Sequence, residues 1–245
     1  MIQLIITRKC NFLCKHCMYA CDKNGGHMAS DVFDRALDYV KQAADVDVMG
    51  GEPTLHPHFI ERVKTLAFHV LGMRIATNGS WVHTPESKGI LKALELVSSM
   101  LSGKLLVRLS TDKWHREFIN KEALRAASYQ LREKNIRVIE AEDDTPYPLG
   151  RASQEFSSAY NLSAAAGMLD SPAECTKGDY NVLNNLSIDI NGDASPCPFH
   201  QAICGNIMRS PINEILKSAE SMMKSIRRNS PRHKDCVSCS KRRCM

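Results

Sequence analysis

Short apolar strands alternate with amphipathic helices through the first 140 residues, and this alternation restricts the fold more than any other feature of the sequence. The apolar runs are nearly continuous, as parallel strands covered on both faces should be. Repeated βα units predict an α/β fold whose parallel sheet is wound open or curls toward a barrel. Ser30 is expected to cap the first helix. Strands are predicted near Ile2–Thr7, Val46–Met49, Met73–Thr77, Leu105–Leu109 and Ile136–Glu140, and helices near Ser30–Ala43, Pro57–Leu71, Glu86–Met100 and Asn120–Glu133.

The pattern changes in an acidic, proline-containing stretch between Glu140 and Gly150, which indicates a loop and a boundary. Beyond it, Leu186–Ile190 alternates like a half-buried strand, and Asn191-Gly192 supplies a turn suited to a hairpin. One more helix is predicted near Ile212–Ile226, followed by an irregular tail that carries cysteines. The sequence therefore predicts a core over residues 1–150 and a small extension over residues 151–245.

Three cysteines, Cys10, Cys14 and Cys17, follow the first predicted strand within one short loop. A structural zinc site or a complete iron–sulfur site normally takes four protein ligands. Three thiols can each ligate one iron of a [4Fe–4S] cluster and leave the fourth iron open to a small chelating molecule. Because the loop leaves the carboxyl end of a strand, it is expected at the edge where α/β sheets bind ligands.

The ten cysteines of the chain favour metal over disulfides. No secretory signal precedes them, because the apolar run Ile2–Ile6 is too short and leads into Thr7-Arg8-Lys9. No stretch approaches the ~20 apolar residues of a membrane span, so no membrane partner is expected. We expect a cytoplasmic location, where thiols stay reduced and are available to bind metal.

The net charge of +5 is concentrated in the tail. Residues 224–245 hold eight Lys and Arg against one acid, Asp235. A basic tail could bind nucleic acid or another polyanion. It could equally offset thiolates, because Cys236, Cys239 and Cys244 lie inside it.

Two motifs carry a resemblance to a known family. The Cys10-x3-Cys14-x2-Cys17 loop resembles the signature of the radical S-adenosylmethionine (SAM) superfamily, and Gly50-Gly51-Glu52-Pro53 resembles the second motif of that superfamily. The resemblance implies a partial (β/α)6 TIM-type barrel. It also implies that SAM chelates the open iron and is cleaved reductively to a 5′-deoxyadenosyl radical, which removes a hydrogen atom from a substrate. A flavodoxin- or ferredoxin-type electron donor is then expected.

The resemblance also assigns roles to single residues. It implies that the cofactor contacts the Gly-Gly-Glu loop, a ring just before the third cysteine, and polar residues at the ends of strands. It also implies that Arg151 contacts SAM or the substrate. Independently of the resemblance, His115 could accept a proton near the substrate. It could equally start a helix or be partly buried, and His56 and His58 are expected to be structural. The expected cofactor contacts are His16, Gly50, Gly51, Glu52, Thr77, Asn78, Ser110 and Asp112.

A second group of cysteines follows the predicted boundary and resembles the auxiliary-cluster extension called SPASM, or its shortened form, the twitch domain. One auxiliary [4Fe–4S] cluster is the better fit, because a full SPASM domain uses seven cysteines and this group has six. The expected auxiliary ligands are Cys175, Cys197, Cys236 and Cys239. Cys204 and Cys244 could replace one of these four ligands. Cys21 is expected to be a plain thiol near the first cluster. Four thiolates would also bind zinc tightly.

Three substrate classes remain open. The first is a ribosomal peptide, which a net oxidation through the auxiliary cluster would suit. The second is a small alcohol, such as an aminocyclitol or sugar, oxidised by a dehydrogenase. The third is a nucleotide or nucleic acid, favoured only by the basic tail. A non-enzymatic cluster scaffold would gain nothing from an open iron site. Gly-x-Ser-x-Gly, Walker and His-Glu-x-x-His motifs are absent, which leaves the cysteine loop as the catalytic signature.

Overall fold

The structure is a computed structural model, and it describes residues 1–142, 149–155, 185–196 and 202–229, the last range with side chains to residue 224. The first part alternates strands and helices as the sequence predicts. The elements are β1 Ile2–Thr7, α1 Ser30–Val40, β2 Asp45–Gly50, α2 Phe59–Ala67, β3 Gly72–Thr77, α3 Ser87–Met100, β4 Leu105–Ser110, α4 Lys121–Glu133 and β5 Arg137–Ala141. The second part holds α5 Arg151–Glu155, β6 Ser187–Ile188, β7 Asp193–Ser195, β8 Gly205–Asn206 and α6 Ile212–Asn229.

All the described strands join one sheet in the order β5-β4-β3-β2-β1-β6-β7-β8. The strands β1 to β6 pair in parallel, whereas β7 and β8 are antiparallel. The prediction of an α/β fold with a mostly parallel sheet, of the partial-barrel type, is confirmed. The hairpin at Asn191-Gly192 is also confirmed, because Gly192 takes φ 80° between β6 and β7.

Some expected boundaries were wrong. Ser30 is the first residue of α1 and not its cap, because Ala29 holds the cap position and no side chain bonds there. Helix α2 is shorter than expected, because a 3₁₀ turn at Pro53–Leu55 occupies the preceding chain and the helix begins only at Phe59. Strand β6 is limited to two residues, since Asp189 turns away into the hairpin.

The two faces of the sheet differ in chemistry. On the convex face, Leu4, Val48 and Leu109 are fully buried against the helices in the apolar core. On the opposite, concave face, Gln3 and Arg108 occupy the alternating positions of the same strands. The apolar core of the described residues therefore lies between the sheet and the helices.

The sheet continues across the predicted boundary at residue 150. Strand β6 pairs with β1, where Gln3 faces Ser187 and Leu4 faces Ile188. An ion pair between Arg8 and Asp189 (2.9 Å) joins the end of β1 to the turn after β6. None of the helices in the described part of the chain combines the length and apolar character that crossing a membrane requires.

Candidate metal centre

Three cysteines lie in the loop after β1, at the edge of the sheet where the parallel strands end. Cys14 is buried, and Cys10 and Cys17 are half-buried. The amide of Cys10 donates to the carbonyl of Asp22 (2.7 Å), and the amide of Cys17 donates to the carbonyl of Cys14 (3.1 Å). These bonds close the loop, and none of the described cysteines forms a disulfide.

The thiols of this loop affect one another's ionisation. The pKa of Cys14 is raised by burial and by the charges of Cys10 and Cys17. Burial raises the pKa of Cys10 to about 11. In contrast, the pKa of Cys17 is lowered to about 6, chiefly because the Cys21 thiol donates a hydrogen bond to it. Each thiol thus opposes the ionisation of its neighbours, and a bound metal cation would relieve this repulsion.

Nitrogen donors already point at two of the sulfur atoms. The amide of Phe12 lies 3.4 Å from Cys10 Sγ, and the side-chain amide of Asn78 lies 3.9 Å from the same atom. The amide of Cys21 lies 3.3 Å from Cys17 Sγ. Such donors stabilise thiolates and set the potential of iron–sulfur clusters. The residues present therefore fit a cluster held by three protein thiolates.

The Gly-Gly-Glu loop packs against the cysteine loop with backbone in direct contact. The amide of Gly51 donates to the carbonyl of Thr7 (2.9 Å), and the amide of Glu52 donates to that of Lys9 (2.9 Å). A Cβ at position 51 would lie 2.3 Å from the Lys9 carbonyl oxygen. Gly50, at φ 151°, would place a Cβ 2.1 Å from the Thr7 carbonyl oxygen. Only glycine fits at these positions, which explains the motif in physical terms.

Glu52 is fully buried, and protein donors occupy both of its carboxylate oxygens. Its Oε1 accepts from Thr54 and from Thr77 Oγ1 (2.8 Å), and its Oε2 accepts from the Asn78 amide (2.7 Å). Burial raises the pKa of this carboxyl group, although the hydrogen bonds oppose that effect. Asn78 in turn donates to Asn11 Oδ1 (3.0 Å). Glu52 therefore orients the end of β3 toward the cysteine loop.

A cluster of rings lies beside Cys14. His16 stacks on Trp114 with centroids 4.6 Å apart, and its ring meets His115 edge-on at 4.9 Å. One ligand atom from each of Cys14, His16 and His115 lies within 4.8 Å of the others. Sequence reasoning assigned no role to Trp114, although its position between Asp112 and His115 was visible.

Asp112 organises this ring cluster. Its Oδ1 accepts from the amides of Trp114 and His115 (both 3.1 Å), and its Oδ2 lies 2.6 Å from His115 Nδ1. Although burial alone would raise it, the pKa of Asp112 is lowered by the hydrogen bond and charge of His115 and by the charge of His16. Because Asp112 occupies Nδ1, His115 has Nε2 for any further contact.

Arg151 reaches the cysteine loop from the far side of the predicted boundary. Its guanidinium donates to the carbonyl oxygens of Cys14 (2.8 Å) and Cys21 (2.7 Å), and its amide donates to that of Cys17 (3.0 Å). Gly150 precedes it at φ 56°, where a Cβ would lie 2.4 Å from the Met18 carbonyl oxygen. We call residues 150–151 the strap. The structure brings this arginine to the loop backbone.

Two predicted strand-end residues have different surroundings. Thr77 is buried and bonds to Glu52. Ser110 is half-buried at the end of β4, opposite Ala141 of β5.

The predicted auxiliary ligands lie outside the described residues: Cys175, Cys197, Cys236 and Cys239, together with the alternative Cys244. Cys204 is described. It packs in the apolar core, and its Sγ donates to the carbonyl of Ala194 (3.2 Å). Burial raises the pKa of Cys204 to about 11. Cys21 is likewise a buried thiol.

Comparisons with known proteins place this geometry in context. Residues 4–141 match the sequence model of the Radical SAM superfamily, and residues 175–244 match that of an iron-sulfur cluster-binding domain, SPASM. A mycofactocin maturase, MftC, of Mycobacterium tuberculosis is 32% identical over 100 residues, which is 40% of this chain and 25% of the relative. The chain thus aligns with about a quarter of that protein.

Two solved structures share the fold. One is BtrN in complex with AdoMet and 2-DOIA, at TM-score 0.60 and 18% identity, covering 93% of this chain and 86% of that one. The other is anSMEcpe with bound AdoMet and a Cp18Cys peptide, at TM-score 0.59 and 16% identity, covering 97% and 86%.

Proposed function

Because this chain belongs to the radical SAM superfamily and carries a SPASM domain, we propose that it is an oxidoreductase that removes a hydrogen atom from a ribosomal peptide. The cofactors are a [4Fe–4S] cluster with SAM and an auxiliary iron–sulfur cluster. Together the first cluster and SAM supply a 5′-deoxyadenosyl radical. The observation that carries the proposal is the closed loop of three thiols, with its amide donors and with the Gly-Gly-Glu backbone packed against it.

The residues around the loop divide the remaining work. Cys10, Cys14 and Cys17 would hold the first cluster. The Gly50-Gly51 backbone packs directly against their loop, so it would lie beside SAM when SAM is bound to that cluster. The side chain of Glu52 acts through its neighbours, because its oxygens are occupied by Thr54, Thr77 and Asn78. It is therefore a positioning residue.

The ring cluster of His16, Trp114 and His115 suits contacts with both SAM and the substrate. His16 and Trp114 already stack on each other, and such a stack extends naturally to the adenine of SAM. His115 accepts a proton at Nε2, because Asp112 holds Nδ1 and stabilises the charge that results. Ser110 is proposed to contact the cofactor from the end of β4. For Arg151, the bonds to the loop carbonyls support a positioning role at the cluster.

The auxiliary cluster would take the electron that remains after hydrogen abstraction, which gives a net oxidation. We propose Cys175, Cys197, Cys236 and Cys239 as its ligands. The packing of Cys204 in the apolar core and its hydrogen bond to the Ala194 carbonyl argue against it as a ligand. A flavodoxin- or ferredoxin-type protein would reduce the first cluster, and the reduced thiols favour a cytoplasmic location.

Support for a peptide substrate comes from the relative that is named a maturase. The anSMEcpe structure also shows that a protein of this fold can hold a peptide. The basic tail keeps nucleic acid as a weaker alternative partner.

The first test is iron and sulfide per chain after anaerobic reconstitution. The native chain should bind about eight iron atoms, and a Cys10/Cys14/Cys17→Ala variant about four, by [4Fe–4S] stoichiometry. If the native chain binds only about four iron atoms and the variant none, with zinc retained in both, the auxiliary iron–sulfur cluster is refuted. The reduced holoenzyme should also convert SAM to 5′-deoxyadenosine, and a peptide substrate should lose two hydrogen atoms by mass. If the reduced native holoenzyme does not cleave SAM, the proposed function is refuted.

A further inference from the structure

Cys21 is a buried thiol of the cysteine loop that the proposed mechanism does not use. It follows Cys17 by four residues, and only 2% of its surface is exposed. A buried free cysteine commonly packs as a small apolar side chain, and Cys204 in the core of the extension does so. Cys21 differs, because it belongs to neither apolar cluster of the described residues and instead contacts a sulfur atom.

The amide and the thiol of Cys21 both donate to the sulfur of Cys17. The amide nitrogen lies 3.3 Å from Cys17 Sγ, and the thiol donates a further hydrogen bond to the same atom. The amide of Tyr19 also donates to it. The nitrogen donors of Cys10 Sγ lie farther away, at 3.4 and 3.9 Å. Cys17 therefore has the closer donors of these two sulfur atoms, and Cys21 supplies two of them.

The backbone on both sides of Cys21 holds it against this sulfur. Ala20 has φ 51°, which is unfavourable for a residue with a Cβ, and its amide donates to the Cys17 carbonyl (3.3 Å). The carbonyl of Cys21 accepts from the guanidinium of Arg151 (2.7 Å). The backbone of Asp22 then bonds to the chain that enters the loop. The position of the Cys21 thiol is thus fixed by backbone contacts and not by apolar packing around it.

A hydrogen bond to a ligand sulfur changes the reduction potential of an iron–sulfur cluster. Reduction adds negative charge to the cluster and its thiolates, and a donor stabilises that charge. The reduced state is then favoured, so the potential becomes less negative. A thiol is a weak donor in water, but hydrogen bonds strengthen inside a protein, where the effective dielectric constant is low. The burial of Cys21 therefore increases the effect of its S–H group.

We propose that Cys21 is a positioning residue of the first cluster, which donates its thiol hydrogen to Cys17 Sγ and thereby makes the reduction potential of that cluster less negative. Cys21 acts through Cys17 and is not itself a ligand. This inference rests on the proposed function, because it assumes that the three thiols of the loop hold the cluster. Its consequence is that an electron donor reduces the cluster more readily.

The test is the midpoint potential of the first cluster in the reconstituted full chain, from an anaerobic redox titration followed by electron paramagnetic resonance. The signal of the first cluster is the one that a Cys10/Cys14/Cys17→Ala variant lacks. In Cys21→Ala the equilibrium constant for reduction should fall about tenfold, a shift of about 59 mV to more negative potential for a one-electron couple. Cys21→Ser keeps a hydroxyl donor and should recover part of the shift.

Cys204→Ala is the matched control, because it also removes a buried thiol, from the core of the extension. Its first cluster should have the native potential. The iron content of Cys21→Ala should equal that of the native chain, since no ligand is lost. A shift in Cys21→Ala that Cys204→Ala does not share, with partial recovery in Cys21→Ser, supports the proposal.

The remaining outcomes refute it. An unchanged potential in Cys21→Ala, or an equal shift in Cys204→Ala, shows that the thiol does not affect the cluster. Loss of the first cluster from both Cys21 variants, but not from Cys204→Ala, shows that the thiol serves cluster assembly and not the potential. If the native chain cleaves SAM and its potential does not depend on Cys21, this inference alone is refuted. If the native chain holds the cluster but does not cleave SAM, the proposed function is refuted, and the potential still decides the role of Cys21.

Discussion

The strap at residues 150–151 gives the sharpest prediction, because it separates a positioning role of Arg151 from a role at the substrate. Arg151→Met removes the guanidinium bonds to the Cys14 and Cys21 carbonyls, at 2.8 and 2.7 Å. A hydrogen bond to a charged group contributes about 1.5–3 kcal/mol. The side chain is half-buried, so we discount the pair for solvent screening to about 2–4 kcal/mol of local stability.

Hydrogen exchange in the cluster-free full chain measures this local stability directly. Amides of residues 10–22 should exchange about 30- to 1000-fold faster in Arg151→Met, because each 1.4 kcal/mol corresponds to a factor of ten. Amides of α3 should be unchanged. Arg151→Lys keeps the charge and should fall between the two, while Arg125→Met removes an exposed arginine and should match the native chain.

A second measurement uses the cofactor-loaded protein. The positive charge of Arg151 lowers the pKa of Cys14 and of Cys17, so its loss should shift the midpoint potential of the first cluster to more negative values. Unchanged exchange of residues 10–22 in Arg151→Met would refute the strap. If hydrogen abstraction were lost in that case, Arg151 would have to act at the substrate.

Three further predictions concern the loops and the core. Gly51→Ala should lower the iron content and should reduce the free energy of unfolding by about 1–3 kcal/mol, the usual cost of overpacking, because its Cβ would lie 2.3 Å from the Lys9 carbonyl oxygen. Gly89→Ala, whose Cβ would make an ordinary contact at 3.7 Å, should leave the stability in urea unchanged or raise it by about 1 kcal/mol. Burial lowers the pKa of His56 to about 4, so the unfolded state binds more protons than the folded state between pH 6.5 and 4. The free energy of unfolding should therefore fall by about 3 kcal/mol as the pH drops through that window. In His56→Gln the stability should depend less on pH. Leu109→Ala should cost about 2–5 kcal/mol because Leu109 is fully buried, whereas Leu106→Ala on the half-buried concave face should cost less; equal losses would contradict the assignment of faces.

The sequence located the strands well because their apolar runs are long and lie between clear helical segments. It found the metal centre through the spacing of Cys10, Cys14 and Cys17, since a loop motif needs no tertiary information. The strands were predicted to be covered on both faces, and β1 is buried on both. In β4 the concave positions are only half-buried, and the polar residue Arg108, which interrupts the apolar run there, was the available signal.

Other features depended on contacts that a linear sequence does not reveal. Arg151 lies more than 130 residues from Cys14, so its bond to that carbonyl follows from the fold and not from a local pattern. Ser30 failed as a cap because the chain before α1 sets Ala29 at the extended cap position. The predicted roles of the auxiliary cysteines remain predictions, because those residues lie outside the described part of the chain.

The strap and β6 also determine when the site can be completed during synthesis. The cysteine loop leaves the ribosome long before the groups that fix it, which come from residues 150–151. The partner of β1 follows later still, from residues 187–188. Until these emerge, one edge of β1 has unpaired backbone groups and the loop lacks its guanidinium bonds. Cluster insertion should therefore follow translation of the second half, and a nascent chain stalled before residue 150 should hold iron poorly.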